Sequence, residues 1–235
     1  MNSAYAPAGS LDRKYYEVAT PHSFAERVMI RAREQMFKDF IRICSPGPAD
    51  TIVDVGVSDV ITDGANMLER RYPHPERITA VGLGTAGQFR AAFPGVAYRQ
   101  IVAGEPLPFP NNSFDIATSN AVLEHVGSVA NQRGFISELT RVASRGFITV
   151  PNRFFPLEHH TGIPFLHWTD AGFGLACTLL GKEDWARPEN LILLSQQRLR
   201  AACPPNVVVR MGTTGIPLGP FSSSLYLYWD EQRAH

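Results

Sequence analysis

The chain has 235 residues, 44% of them hydrophobic and 19% charged, with 22 acidic and 22 basic side chains. This is the composition of a soluble globular protein with one sizeable domain, and the balanced charge argues against nucleic acid as a partner. Three dispersed cysteines favour free thiols, and no apolar run reaches membrane-spanning or signal-peptide character. We therefore expect a cytoplasmic protein with no membrane partner.

The N-terminal region divides into a tail and a long helix. Residues 1–22 are expected to be a flexible N-terminal segment, and residues 23–235 a single domain. Ser23-Phe-Ala-Glu26 is a capping box that predicts a helix start, and Ser45-Pro-Gly-Pro48 predicts its end. Apolar residues recur at a spacing of four, which predicts one apolar helix face. The arginines at 27, 31 and 33 are expected to form a solvated face, with a pocket-facing role for Arg31 or Tyr16, binding a carboxylate, as the alternative.

Strand and helix patterns then alternate along the chain. Strands are expected near 51–55, 78–83, 96–102, 114–119 and 146–150, with helices near 63–72, 86–93 and from 129. A helix near 195–203 and strands near 206–211 and 223–229 follow, the last two as an antiparallel hairpin at the sheet edge. The predicted fold is a doubly wound α/β domain with a mainly parallel seven-stranded sheet.

Residues 151–194 interrupt this alternation. They are rich in Pro, Gly, Phe, His and Trp, with one helix expected near 171–180. A long segment of this kind between core elements is more often functional than accidental. We expect a lid insertion after strand five, although its aromatic side chains could instead simply seal the carboxyl edge of the sheet.

The first strand ends in a carboxylate and a glycine, Asp54 and Gly56, as nucleotide-binding α/β sheets do. A ligand is expected in the crevice at the carboxyl ends of the strands. Asp54 has either a binding role or a structural one. Ser119 and Asn120, at the end of strand four, are predicted to face the same crevice, where Asn120 could orient a nucleophile or cap a turn.

Several motifs resemble those of class I S-adenosylmethionine-dependent methyltransferases of the type 11 kind, over roughly residues 24–229. They are Ile52-Val-Asp-Val-Gly56, Leu107-Pro-Phe-Pro110, Ser113-Phe-Asp115, Ser119-Asn-Ala-Val-Leu-Glu-His-Val126, Glu138-Leu-Thr-Arg-Val142 and Thr149-Val-Pro-Asn152. The resemblance implies a Rossmann-like methyltransferase fold, S-adenosylmethionine as cofactor and a small-molecule substrate. It implies methyl transfer to O or N of a small metabolite or saccharide.

The resemblance also assigns the cofactor-binding positions, and the sequence departs from the family pattern in three regions: the turn after strand one and the ends of strands two and three. Ser58 and Val60 stand where glycines are usual, Gly84 where an acid binds the ribose, and Ala103 where an acid binds adenine. Loss of both acids would weaken binding by about tenfold to a thousandfold, unless a neighbour such as Glu105 compensates. The predicted cofactor site comprises Asp54, Gly56, Val57, Ser58, Gly84, Ala103, Gly104, Glu105, Ser119 and Asn120.

Histidines are the candidate catalytic residues, because imidazole titrates near neutrality. His125, His160 and His167 are the predicted bases, and a structural role remains open for each. No HxH or HxxxH spacing occurs, so no metal is expected. Two alternatives to methyl transfer stay open on the same fold: a cofactor-independent cyclisation or rearrangement, and a non-catalytic pseudo-methyltransferase. The edge hairpin and aromatic lid would permit a homodimer.

Overall fold

The computed structural model describes residues 24–62 and 64–231, which contain a seven-stranded sheet. Its strands are β1 (Ile52–Val55), β2 (Ile78–Gly82), β3 (Ala97–Gln100), β4 (Phe114–Asn120), β5 (Ala143–Pro151), β6 (Val209–Thr214) and β7 (Ser224–Asp230). The strand order is β3-β2-β1-β4-β5-β7-β6. Strands β1 to β5 pair in parallel, whereas β7 pairs antiparallel with both β5 and β6. The predicted α/β fold and edge hairpin are confirmed.

Helices cover both faces of the sheet because parallel strands need crossover connections. They are α1 (Phe24–Cys44), α2 (Met67–Arg71), α3 (Gly87–Ala92), α4 (Val129–Val142), α5 (Asp170–Leu179) and α6 (Gln196–Ala202). Helices α1, α2 and α3 pack on one face, and α4 and α6 on the other. Because β1, β4 and β5 are adjacent and parallel in the sheet, their carboxyl ends lie side by side.

The alternation of side chains along β1 separates the two halves of the core. Ile52 belongs to the apolar cluster under α1, with Phe40 and Phe147, and Val53 belongs to the cluster under α4, with Leu139. Successive strand residues point to opposite faces, so a strand buried on both faces reads as a continuous apolar run. Asp54 interrupts that run at the end that faces the crevice.

The segment 151–194 has a small core of its own. Ile163, Phe173, Cys177 and Leu191 form a third apolar cluster, and α5 lies within the segment. Thr169 caps α5, because its side chain accepts a hydrogen bond from the backbone N–H of Gly172. We call this segment the insertion. Its movement as a lid stays a prediction.

Three of the differences between the predicted and observed element boundaries are the clearest. Helix α2 begins only at Met67, because Asn66 has a left-handed backbone with φ 50°. Strand β5 begins at Ala143, directly after α4, and so is longer than predicted. Strand β6 lies three residues further along than expected.

Two predictions lie outside the described residues. One is the flexible segment 1–22. The other is the capping box, because neither Ser23 nor the side chain of Glu26 is described. Within the described part of the chain, every helix is too short or too polar to cross a bilayer.

Candidate functional site

A cavity of about 90 Å³ lies at the carboxyl ends of β1, β4 and β5, between the sheet and α1. Of the predicted site residues, it brings together Asp54, Gly56, Val57 and Asn120. The other residues that line it are Arg33, Met36, Phe37, Phe40, Ala65, Asn66, Met67, Leu68, Thr118, Ala121, Phe147 and Thr149. The floor is therefore polar and the wall formed by α1 is largely apolar.

The turn after β1 is held by its own side chains. Gly56 has φ 103°, and a Cβ added there would lie 2.2 Å from Cγ2 of Val122, so only glycine fits. The Asn66 side-chain amide forms two hydrogen bonds with the Ser58 backbone. It accepts one from the Ser58 N–H at 3.1 Å and donates one to the Ser58 carbonyl at 2.8 Å. Ser58 is 1% exposed. These bonds fix Ser58 within the turn, and its predicted contact with the cofactor stays a prediction.

Asp54 lies beside a second buried carboxyl group, that of Glu69 on α2. No donor among the described residues gives a hydrogen bond to either Glu69 oxygen. Burial, and then the Asp54 charge, raise the pKa of Glu69, and burial also raises the pKa of Asp54. One proton shared between the two carboxyls would leave the pair with one negative charge fewer than two free carboxylates.

Arg33 is a lining residue that the sequence pattern misses. Its guanidinium reaches from α1 across to the loop before α2 and donates to the Gly64 carbonyl at 2.6 Å. Arg27 and Arg31 are exposed, as the solvated-face prediction requires, but Arg33 is half-buried at the cavity. Because its partner lies 31 residues away, no local spacing in the sequence indicates this contact.

Asn120 and Ser119 end β4 with different roles. Asn120 lines the cavity, and its Oδ1 accepts a hydrogen bond from the Thr149 hydroxyl at 2.5 Å. The Ser119 hydroxyl instead donates to the Val55 carbonyl at 2.7 Å and is buried. Ser119 therefore joins β4 to β1. Its predicted position facing the crevice is wrong, because successive residues of a strand point to opposite faces of the sheet and Ser119 points away from the face that Asn120 lines.

The predicted nucleotide positions lie at the neighbouring strand ends, β2 and β3. A Cβ at Gly84 or Gly104 would meet no atom within 4 Å, so both positions border open space. The Gly84 carbonyl accepts from the Tyr98 hydroxyl at 2.6 Å. Two apolar side chains are exposed beside these glycines: Leu83, 37% exposed, and Val102, 68% exposed. Ala103 is half-buried and Glu105 exposed.

The predicted bases do not line this cavity. His125, in the short turn Leu123–His125 after β4, and His160, in the insertion, face each other with their Nε2 atoms 3.1 Å apart. Burial, and then the charge of His160, lower the pKa of His125 to about 3. Burial opposes protonation of His160, but the hydrogen bond and charge of Glu158 raise its pKa. A group with the pKa of His125 is a weak base near neutrality.

His167 lies deeper in the insertion. Its Nε2 donates to the Phe155 carbonyl at 2.8 Å, and the residue is 1% exposed. Burial lowers the pKa of His167. With this bond it holds the chain at Phe155, and its geometry offers no route to the cavity beside Gly56. The assignment of any of the three histidines as a base stays a prediction.

Known proteins share this architecture. The family model "Methyltransferase domain" matches residues 67–150. A SAM-dependent methyltransferase from Aquifex aeolicus is 15% identical, with a TM-score of 0.52 over 96% of this chain and 98% of that one. The N-methyltransferase NodS from Bradyrhizobium japonicum, solved with S-adenosyl-L-homocysteine, is 12% identical, with a TM-score of 0.56 over 95% of this chain and 97% of its own.

Magnesium protoporphyrin IX methyltransferase (ChlM) from Synechocystis PCC 6803, also solved with S-adenosylhomocysteine, is 12% identical, with a TM-score of 0.57 over 94% of each chain. No curated protein sequence matches this chain. The family match and the shared fold support the resemblance found in the sequence. The chain has the fold of class I S-adenosylmethionine-dependent methyltransferases.

Proposed function

We propose that this chain transfers a methyl group from S-adenosylmethionine to O or N of a small metabolite or saccharide. The observation that carries the proposal is a polar-floored cavity at the carboxyl ends of β1, β4 and β5 in a methyltransferase fold. In open α/β sheets ligands bind at this edge. The related folds of NodS and ChlM, both solved with S-adenosylhomocysteine, support the choice of cofactor.

The residues at the ends of β2 and β3 fit the adenosine part of the cofactor. Leu83 and Val102 present apolar surface to a base, and the open space over Gly84 and Gly104 leaves room for the sugar. When bound, the cofactor would supply a methyl group already activated by a sulfonium. The chain then needs to align the acceptor and take up its proton.

The acceptor would enter the cavity under α1. The Asn120 amide and the Thr149 hydroxyl are polar groups that can orient an attacking oxygen or nitrogen. Arg33 adds a fixed positive charge beside them. A cavity of about 90 Å³ has room for one small polar group of the acceptor.

A second candidate is the same fold without the cofactor, as a cofactor-independent enzyme or a pseudo-methyltransferase. Two observations favour it. None of residues 82–85, at the end of β2, carries an acid that could bind ribose hydroxyls. Val122 packs directly on Gly56, where the glycine-rich turn of the family leaves space for the methionine part.

Equilibrium dialysis and transfer assays with methyl-labelled S-adenosylmethionine would separate these candidates. We expect labelled cofactor to bind, and label to pass to members of a panel of amino- and hydroxyl-bearing metabolites and sugars. Loss of a hydrogen bond to a charged group costs about 1.5–3 kcal/mol, so Arg33→Met should lower kcat/KM by about 10- to 150-fold. Arg31→Met, a matched change on the exposed side of α1, should not.

One result would count against methyl transfer, and another against the proposed acceptor site. If millimolar labelled cofactor is not retained by the folded chain, the cofactor-independent candidate replaces it. If the cofactor binds but Arg33→Met and Arg31→Met have equal kcat/KM, the acceptor does not occupy the cavity under α1. Circular dichroism of both variants checks that the fold is intact.

A further inference from the structure

A cluster of one buried and two partly buried side chains joins the connection after β4 to the insertion. Glu124 and His125 come from that connection, and His160 comes from the insertion. One ligand atom of each, a carboxylate oxygen or a ring nitrogen, lies within 4.8 Å of the other two. We call these three residues the Glu–His–His cluster. None of them lines the cavity under α1.

The hydrogen bonds of the two rings fix their tautomers. His125 Nδ1 lies 2.7 Å from the Asn190 carbonyl oxygen, which only accepts, so Nδ1 carries the hydrogen. His160 Nδ1 lies 2.9 Å from Glu158 Oε1 and donates to that carboxylate. In the neutral rings both Nε2 atoms are therefore acceptors. They face each other at 3.1 Å, where two lone pairs repel unless something lies between them.

Glu124 adds a third acceptor without a donor. Both of its oxygens are buried, and no described residue gives either of them a hydrogen bond. Its Oε1 lies 3.9 Å from His125 Nε2. A proton on His160 would reconcile the two rings but would leave Glu124 without a partner. A cation among the three atoms satisfies all of them at once.

We propose that the Glu–His–His cluster binds a divalent transition-metal ion of the Zn²⁺ kind. Two nitrogens and one carboxylate oxygen are a common Zn²⁺ ligand set. Ligand atoms about 2.0–2.2 Å from one ion stand roughly 3.3 to 3.5 Å apart. The nitrogen–nitrogen distance of 3.1 Å and the oxygen–nitrogen distance of 3.9 Å lie on either side of that value, and all three atoms lie within 4.8 Å of one another, so the side chains must shift to complete the site.

The surroundings already have the form of an outer shell. Glu158 orients His160, and the Asn190 carbonyl orients His125, as carboxylates and carbonyls orient metal-bound histidines. Glu158 is itself fixed, because it accepts hydrogen bonds from the N–H of His160 at 2.9 Å and the hydroxyl of Thr161 at 2.6 Å. The ion would pin the insertion to the sheet. The His125 side chain is 17% exposed, so a metal ion could reach the cluster from solvent on that side.

The test uses the full-length, tag-free chain, stripped with a chelator and titrated with Co²⁺, which Zn²⁺ then displaces. We expect one Co²⁺ per chain with visible d–d absorption, and a higher Tm with Zn²⁺. Glu124→Gln and His160→Asn should abolish both effects. His74→Asn, a matched change at a partly exposed histidine outside the cluster, should preserve them.

A graded variant separates this site from binding elsewhere. Glu158→Gln removes only the outer-shell charge and should weaken Co²⁺ binding by about 10- to 100-fold. No Co²⁺ binding, binding that survives Glu124→Gln, or an intense thiolate-to-cobalt band would overturn the proposal. Thermal melts of the metal-free variants check that each variant folds. If a histidine variant does not fold, Co²⁺ binding by Glu124→Gln alone tests the proposal. S-adenosylhomocysteine affinity should be unaffected, so this test is independent of the proposed methyl transfer.

Discussion

Restoring a carboxylate at the end of β2 should strengthen binding of S-adenosylhomocysteine. A Cβ at Gly84 meets no atom within 4 Å, and its φ is not in the left-handed region, so Gly84→Asp introduces no clash. A hydrogen bond to a charged group contributes about 1.5–3 kcal/mol. The variant should therefore bind about 10- to 150-fold more tightly than the native chain by isothermal titration calorimetry.

Two controls isolate the hydrogen bond from the charge. Gly87→Asp places the same carboxylate at the start of α3, also in open space. It should change the affinity little, because it is three residues away from the position that faces the sugar. Gly84→Asn supplies a neutral acceptor, for which about 0.5–1.5 kcal/mol is expected. Equal affinities for Gly84→Asp, Gly87→Asp and the native chain would refute the placement of the ribose at β2.

Two further predictions concern stability. The pKa values of Asp54 and Glu69 are raised in the folded chain. Their contribution to stability is therefore complete at low pH and is lost as pH rises through the folded pKa values. For each proton, the free energy of unfolding falls by about 1.4 kcal/mol per pH unit. Glu69→Gln should therefore flatten the fall of Tm between about pH 4, where free carboxyls titrate, and about pH 7, the folded pKa of Asp54, unlike the exposed control Glu183→Gln. Parallel curves for the native chain and both variants would contradict this. Gly56→Ala should destabilise the chain by about 1–3 kcal/mol from its φ alone, and by more from contact with Val122. The cost should shrink in a Val122→Ala background, and additive unfolding free energies would show that the contact does not matter.

The sheet could be predicted from the sequence because its signals are local. Ile52 and Val53 point to opposite faces of the sheet, and both are buried. A parallel strand buried on both faces therefore appears in the sequence as a continuous apolar run. The periodicity of α1 and the switch to a final hairpin are likewise set by neighbouring residues. Boundaries failed where a single backbone conformation decides them, as at Asn66, whose φ of 50° delays α2.

The site could be predicted only where it coincides with a strand end. Asp54, Gly56 and Asn120 were found because they end β1 and β4 at the crevice. Ser119 was misplaced because adjacent residues of one strand point in opposite directions. Arg33 was missed since helix periodicity alone made it part of a solvated face, while its partner Gly64 is distant in the chain.

The Glu–His–His cluster could not be predicted either, because its residues are distant in the sequence. Metal-ligand spacing rules compare residues within one short segment, and by that test the histidines of the insertion gave no pattern. The structure brings His160 to Glu124 and His125 across 35 residues, because the insertion folds back on the end of β4. Only the topology of the sheet makes these residues neighbours.

The central claim is that S-adenosylmethionine binds at the carboxyl edge formed by β1, β2 and β3. A crystal of the full chain soaked with S-adenosylhomocysteine tests it most directly. We expect density for the base between Leu83 and Val102, with the sugar over Gly84. Density elsewhere on the molecule, or an edge that stays empty at saturating ligand, would contradict the claim.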